Sequence, residues 1–570
     1  MALLALASLR GASPEPRHPI FVDVTREAGL ANFLNVQGSA AKKHIIETMG
    51  GGAAFLDFNR DGNLDVLLVR GSTVEQFSKG GDLVCLLYQG DGKGHFRDVS
   101  VAAGMVARGW GMGVAAADID NDGWEDVYVT GYGRNFLFHN LGNGKFEEIG
   151  RDAGVADGRW SVGAAFVDID HDGDLDLYVA NYLSYDLSQL PSRGASCTYR
   201  GFDVFCGPRG LPGQRDALFL NDGHGHFRDV AVERNIDPDS LYGMAVAVAD
   251  YDNDGWPDIF IANDLTANLL YHNLGNGKSE EVGVLAGAAF DDNGVEEGSM
   301  GADFGDFDHD GWLDLYYTNS SYQTNELGIN NRKGAFTLKS YALGHGDTTW
   351  LYVGWSTFWA DLDNDTWEDI FVVNGHLYPD ADRFDMGLKY RQRKLLFMNL
   401  AGRTFKESNA AWGSVLDRPD NSRGAAYGDY DNDGDLDILI NNQDSSPTLL
   451  RNDGGNSKSW LLLNLAGKAS NRSAVGARVW ARVGQTQQIR EVKAGSGYAS
   501  QNDLRVHFGL GTSEQVDELE IRWPAGTVQK LSKMPARQIL SVVEGQEVKA
   551  GKQSPVTPPT APRADPNPSK

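Results

Sequence analysis

Cysteine, long apolar runs and positive charge are all scarce in this chain, and each shortage narrows what the protein can be. Three cysteines occur in 570 residues. Cys85 lies in the apolar run LVCLLY and reads as a buried free thiol. Cys197 and Cys206 share one loop and could form a disulfide, but spacing carries no geometry, so the sequence leaves the pairing open. No apolar stretch approaches the roughly 18 residues that a membrane-spanning helix needs. The formal net charge of −27 argues against nucleic-acid binding through phosphate. The 12 histidines form no HExxH pair, and no GxSxG has a supporting context.

What is abundant is acid in fixed register. The nonapeptides DFNRDGNLD (57–65), DIDNDGWED (118–126), DIDHDGDLD (168–176), DYDNDGWPD (250–258), DFDHDGWLD (306–314), DLDNDTWED (361–369) and DYDNDGDLD (429–437) share one pattern. Each has an oxygen donor at positions 1, 3, 5 and 9 and glycine at position 6, except Thr366 in the sixth. Such self-similarity is the signature of a repeat architecture. At 570 residues the chain is too long for one core, so a large repeat domain plus something smaller is expected.

Around each loop the pattern continues. A small-residue run precedes it, as in GMGVAAADID and SVGAAFVDID. A β-branched or aromatic run follows, as in DVYVTGYG and DIFIANDL. A third run (NFLFHN, ALFLND, NLLYHN) and a glycine-rich turn lead to a fourth. Short strands with glycine and asparagine turns are an all-β pattern, and four strands repeated seven times predict a seven-bladed β-propeller. Gly113, Ala115, Ala117, Ala164 and Ala165 would let the innermost strands converge on the channel. The seventh loop lacks a fourth run, but IFVDVTREAGL (20–30) matches HFRDVSVAAGM (95–105). The N-terminal strand is therefore expected to complete the last blade, closing the ring and removing free edges.

The loops read as oxygen cages. The expected ligands are Asp57, Asn59, Asp61 and Asp65 in the first, with the position-7 carbonyl of Asn63. In the second they are Asp118, Asp120, Asp122 and Asp126, with Trp124. In the third they are Asp168, Asp170, Asp172 and Asp176, with Asp174. The fourth offers Asp250, Asp252, Asp254 and Asp258, with Trp256. The fifth offers Asp306, Asp308, Asp310 and Asp314, with Trp312. The sixth offers Asp361, Asp363, Asp365 and Asp369, with Trp367. The seventh offers Asp429, Asp431, Asp433 and Asp437, with Asp435. Oxygen-only donors in flexible number suit Ca²⁺, up to seven ions. Mg²⁺ demands a tighter octahedron, and Zn²⁺ would want His or Cys, neither of which recurs in the loops. The loops begin like an EF-hand but run from strand to strand and end on Asp at position 9, which resembles FG-GAP and integrin-type propellers. Asn59 ligates without charge, and Thr366 at a position needing φ > 0 predicts a distorted or weaker site. A site with Kd ~10⁻⁵ M in a millimolar medium would contribute roughly 2.7 kcal/mol.

From about Ser457 the pattern changes to strands without acidic loops, for example WLLLNLAG (460–467), ARVWARVG (477–484), LRVHFGLG (504–511) and DELEIRWPAG (517–526). NRSAVGARV (471–479), GSGYASQND (495–503), HFGLG (507–511) and IRWPAGTVQ (521–529) resemble the ASPIC/UnbV domain. That domain follows FG-GAP/VCBS repeats in the cartilage acidic protein family and its bacterial relatives. The loop at 197–227 and the segment VVNGHLYPD (372–380) resemble bacterial members. The resemblance covers about residues 20–548 and implies a secreted, calcium-binding, non-enzymatic propeller followed by a small β-sandwich-like domain. The expected organisation is a weak signal or frayed tail at 1–18, a propeller at 19–455, the ASPIC/UnbV-like domain at 456–548 and a disordered proline-rich tail at 549–570. The apolar segment of MALLALASLRGASPEPR is near the minimum for a signal peptide and has no basic residue before it.

Three functions compete. The favoured one is an extracellular or periplasmic binding or adhesion propeller whose variable loops meet a protein or glycan. The second is a scaffold that docks through its C-terminal module and tail. The third is a hydrolytic or polysaccharide-active enzyme with a site at the channel mouth, for which Glu47, His376 and Tyr378 are the candidates. His171 and His309, at loop position 4, read as solvated. The tryptophans at position 7 are expected to cover their loops, with sugar stacking as the alternative.

Overall fold

The computed structural model describes residues 18–187, 197–199, 201–383 and 387–548. Seven four-stranded antiparallel sheets follow one another along the chain. Blade 2 shows the plan: Gly111–Ala117 pairs with Asp126–Gly131, then Phe136–Asn140, then Phe146–Glu148. The first strands of the other blades are Ala53–Leu56, Ser161–Val167, Gly243–Ala249, Ala302–Gly305, Gly354–Ala360 and Ser422–Gly428. Each of these seven strands packs beside the next, and that of blade 7 packs beside that of blade 1. Second strands such as Asp126–Gly131 are buried throughout because neighbouring blades cover both faces. That is why their sequence is a continuous run of β-branched and aromatic residues instead of an alternating one.

Blade 7 is completed from the N-terminus. Ile20–Asp23 pairs antiparallel with Thr448–Asp453, Ile20 opposite Asp453 and Asp23 opposite Leu450. The fourth strand of blade 5, whose sequence is degenerate, is present as Phe336–Leu338.

The C-terminal domain has two sheets. Ser459–Ala466 lies between Val506–Gly511 and the parallel strand Gln538–Val543. Thr486–Glu491, Arg478–Val483, Gln515–Arg522 and Val528–Pro535 form the other. Leu461, Leu463, Val479, Leu519 and Phe508 share a core with Phe166 and Leu177 of blade 3, so the domain packs directly on the ring.

One segment of this domain leaves both sheets and enters the channel. Residues 494–503, which include most of GSGYASQND, bond to the inner strands of blades 1, 2, 3, 5, 6 and 7. Phe166 N donates to Ala494 O at 2.8 Å and Val114 N to Ala499 O at 3.1 Å. Gly497 and Ala302 exchange two bonds, of 2.9 and 3.2 Å. Gln501 N donates to Ala53 O at 3.0 Å, and Asp503 N to Tyr427 O at 3.0 Å. Tyr498 N donates to Ser356 Oγ at 3.1 Å. The small residues of the inner strands make room for this chain as well as for one another. A Cβ on Gly113 would stand 2.4 Å from Val162 O and 2.8 Å from the Ala499 Cβ. Tyr498 is fully buried, with its ring 4.8 Å from that of Trp355. It shares an apolar cluster with Ile46, Met49, Met112, Met244 and Met300, which stand at or just before the starts of the inner strands.

Candidate metal-binding loops

In every blade the acidic nonapeptide is the turn between the first and second strands. The residue before position 1 pairs with position 9, as Ala117 does with Asp126 and Gly428 with Asp437. The turn is held by its own acids. The position-1 carboxylate accepts the backbone N–H of position 6 in all seven loops, for example Gly123 N to Asp118 at 2.6 Å and Thr366 N to Asp361 at 2.7 Å. The position-5 carboxylate accepts the N–H of position 7, as in Trp256 N to Asp254 at 2.8 Å. Position 4 is left-handed in each loop (φ between 54° and 62°), and Thr366 takes φ 91° where the other loops place glycine.

The position-9 carboxylate is buried in all seven loops. One oxygen accepts the N–H of position 2 and the other an N–H at the end of the third strand. For Asp126 these are Ile119 N at 3.0 Å and Asn140 N at 2.7 Å. Asp65 has the same pair from Phe58 and Gly90, and Asp437 from Tyr430 and Asn452. This residue therefore ties the loop to the rest of its blade.

Ligand atoms at positions 1, 3 and 5 lie within 4.8 Å of one another in loop 2 (Asp118, Asp120, Asp122), loop 3 (Asp168, Asp170, Asp172) and loop 4 (Asp250, Asp252, Asp254). In loop 1, Asn59 Oδ1 accepts Asp61 N at 3.1 Å, so its amide is turned partly into the turn itself. Burial raises the position-1 carboxyls, and neighbouring carboxylates add to it: Asp118, Asp168 and Asp306 are pushed up to about 7. Burial takes Asp250 to about 6, with Arg478 pulling it back. Several buried oxygens at these positions have no hydrogen-bond partner: Oδ1 of Asp168, Asp170, Asp363 and Asp431. Buried carboxyl oxygens normally find a donor. Oxygens left over at the positions where the loops converge, in an all-oxygen donor set, fit a metal ion.

Sequence reading missed three features of these loops. First, His139 and His272, on the third strands of blades 2 and 4, point Nδ1 at the position-9 carboxylate, 2.9 Å from Asp126 and 3.2 Å from Asp258. They form close groups with Asp120 and Asp252, and their carboxylate partners raise them to about 9. The clue was the His in both NFLFHN and NLLYHN. Second, asparagine ends the third strand in blades 2 to 6 and is the last but one residue of that strand in blade 7, and its amide crosses to the preceding blade. Asn140 Nδ2 donates to Phe58 O at 2.8 Å and Asn273 Nδ2 to Ile169 O at 2.8 Å, and Asn221, Asn330, Asn399 and Asn452 repeat the bond. Gly90 stands there in blade 1.

Third, position 4 joins each loop to the next. Arg60 lies over the Trp124 ring at 5.4 Å, and Asn121 donates to Gly173 O at 3.1 Å. His171 stacks on Trp256 at 4.1 Å, and Asn253 donates to Gly311 O at 3.2 Å. His309 stacks on Trp367 at 3.9 Å, and Asn364 donates to Gly434 O at 3.0 Å. Asn432 closes the circle by donating to Gly62 O at 3.1 Å. The expectation that His171 and His309 are solvated is thus corrected: each is sandwiched against the tryptophan of the following blade, because the left-handed position 4 aims its side chain sideways.

The proposed channel-mouth trio does not assemble as an open site. Glu47 is 2% exposed, and its carboxylate accepts the backbone N–H of Ser39, Lys43 and His44, capping a short 3₁₀ turn. His376 is 1% exposed; its Nδ1 accepts Tyr378 N at 3.0 Å, and burial lowers it to about 3. Tyr378 packs beside it, at 4.8 Å from Phe205. Cys197 and Cys206 form a disulfide with Cα atoms 5.2 Å apart, and Cys85 is a buried free thiol. Among the described residues no helix is long and apolar enough to cross a membrane.

Comparison with known proteins agrees with this architecture. The FG-GAP-like repeat model matches residues 57–129, 118–179, 202–261, 250–317 and 306–372, and the ASPIC and UnbV model matches residues 467–549. Cartilage acidic protein 1 of Mus musculus is 27% identical over 344 residues, covering 58% of this chain and 49% of that protein. The Homo sapiens protein is 27% identical over 389 residues, covering 61% and 53%. The chain thus spans about half the length of these curated relatives. Among solved structures, a lectin of Agrocybe aegerita that recognises non-reducing terminal N-acetylglucosamine aligns over 65% of this chain and 84% of its own, at 17% identity and a TM-score of 0.38. With its FG-GAP-like repeats matched over more than half its length and an ASPIC and UnbV domain after them, the chain belongs to the FG-GAP-like repeat family and is a distant homologue of cartilage acidic protein 1.

Proposed function

We propose that this protein is a calcium-loaded binding or adhesion propeller that works outside the cytosol. The observation that carries the metal reading is the set of unpartnered buried oxygens on Asp168, Asp170, Asp363 and Asp431, at ligating positions of repeated acidic turns. In loops 3, 6 and 7, where these oxygens lie, the donors are oxygen alone, which favours Ca²⁺ over Zn²⁺, and the number of carboxylates favours it over Mg²⁺. Bound cations would supply the charge that the buried acids lack. The Cys197–Cys206 disulfide favours an oxidising extracellular or periplasmic setting.

The filled channel favours binding over catalysis at the mouth. The C-terminal domain lies on the acidic-loop side, so the side where the first strands begin is left for a partner. Tyr341 and Trp350 are exposed there, with Trp350 42% accessible. A protein or glycan partner reading such loops fits this surface.

Tryptophan at position 7 of loops 2, 4, 5 and 6 supplies a direct test. Terbium bound in those loops should luminesce on tryptophan excitation, and Ca²⁺ should quench the emission at concentrations where Mg²⁺ does not. Absence of sensitised emission, or equal displacement by Mg²⁺, contradicts the calcium reading. For the partner, calcium-loaded protein is probed against glycans and matrix proteins, and Trp350→Ala should weaken what binds. Turnover of a probed glycan would contradict the non-catalytic reading.

A further inference from the structure

The channel segment 494–503 is bracketed by two arginines that make the same set of contacts. At its entry, Arg478 Nε donates to Glu491 at 2.6 Å. The remaining guanidinium nitrogens of Arg478 bond the side chain of Asn253 and the carbonyl of Asp250. At its exit, Arg505 Nε donates to Asp503 at 2.7 Å. Its other nitrogens reach Asn432 Oδ1 and Asp429 O, both at 2.7 Å. Asp250 and Asp429 are position 1 of loops 4 and 7, and Asn253 and Asn432 are position 4 of the same loops. Arg505 thus holds the last residue of the channel segment and Arg478 the strand end three residues before it, and each reads the backbone shape of one acidic turn.

The domain meets other loops through different groups. In loop 2, Asp118 N donates to Ser473 Oγ at 2.9 Å and Arg472 N to Asn121 Oδ1 at 2.7 Å; in loop 6, Gly511 N donates to Asn364 O at 2.9 Å. A cavity of about 290 Å³ lies between the domain and loops 3 and 4, with Asp168, Asp250, Arg478 and Glu491 in its wall. One of about 580 Å³ lies beside loops 1, 2 and 7, lined by Asp57, Asp118, Asn432 and Arg505.

We infer that Arg478 and Arg505 are latches that make seating of the 494–503 segment in the channel depend on cation occupancy of loops 4 and 7. The inference rests on the calcium reading above. Without an ion, the carboxylates at positions 1, 3 and 5 repel, and the turn that presents Asp429 O and Asn432 opens. The latch then loses both acceptors while its own partner, Asp503, stays buried. Cation binding and channel closure are linked in the reciprocal sense: whatever seats the segment must also raise the affinity of these two loops for the ion.

The test is hydrogen–deuterium exchange of the full chain with metal content measured in parallel. In millimolar Ca²⁺ the amides of Gly497, Gln501 and Asp503, which bond inner strands, should be protected. Chelation should speed their exchange at least about tenfold, while third-strand peptides such as 136–140 change less. In Ca²⁺, the loop-7 variant D431A/D433A, which removes two ligand oxygens outright, should release the segment and the loop-3 variant D170A/D172A should not. If ions are lost and residues 497–503 stay protected, the latch is wrong and the calcium reading stands. If no ion is bound at any point, both fail. Should chelation unfold the blades as well, R478Q/R505Q in saturating Ca²⁺ decides: segment exchange at the wild-type rate overturns the inference.

Discussion

The imidazole of His309 lies flat on the indole of Trp367, with ring centroids 3.9 Å apart and planes within 9°. The two residues belong to consecutive acidic loops, and His309 Nε2 also meets Thr366 O at 2.9 Å. Seven such position-4 contacts make the loops one circular structure. His309→Ala should therefore weaken the blade 5–blade 6 seam by about 1 kcal/mol, the scale of an aromatic contact. Denaturant unfolding of the single and double mutants with Trp367→Ala checks it: the double mutant should lose less than the sum of the singles.

Thr366 is a β-branched residue at φ 91°. Strain of that kind costs about 1–2 kcal/mol, more than the entropy glycine adds to the unfolded chain. Thr366→Gly should raise the thermal midpoint and tighten cation binding at loop 6. A lower midpoint would mean that its methyl group, near Gly511, contributes more than the strain costs.

Asn273 Nδ2 donates to Ile169 O and Pro257 O, both otherwise short of partners at a blade seam. Asn273→Ala leaves two carbonyls unpaired and should cost about 1–3 kcal/mol. Chemical denaturation measures it, and a loss under half a kilocalorie would show that the seam does not depend on this bond.

His345 is fully buried against Tyr316, Phe397 and Phe405, and neither ring nitrogen has a partner. Burial lowers it to about 3. The unfolded chain protonates this imidazole below about 6.5 while the folded chain does not, so stability falls as pH drops from about 6.5 towards 3. His345→Phe should flatten that part of the stability–pH curve. An unchanged slope would place the acid sensitivity elsewhere.

Much of this architecture is legible in the sequence because it rests on repeats. Seven nonapeptides in register set the blade count, and the match of residues 20–30 to 95–105 predicts the strand exchange that closes blade 7. Features that depend on long-range placement are not legible. GSGYASQND is recognisable as a family motif, yet nothing local says that it leaves its domain and runs through the ring, since its partners Ala53, Val114 and Ala302 lie hundreds of residues away. The role of Asn273 was visible as a recurring letter, but its bond spans two blades. His171 and His309 were misread because a polar residue at a left-handed turn position ordinarily faces water, whereas here the neighbouring loop covers it. Glu47 and His376 were attractive as chemistry and turn out to be buried structural groups.

Thermal unfolding of the full chain in excess chelator, then in millimolar Ca²⁺ or Mg²⁺, with bound metal quantified at each step, tests the central claim most directly. The account predicts several Ca²⁺ ions per chain and a large rise in midpoint that Mg²⁺ does not reproduce. No bound metal and no shift would contradict it, and the seven acidic loops would then be turns held by their own hydrogen bonds.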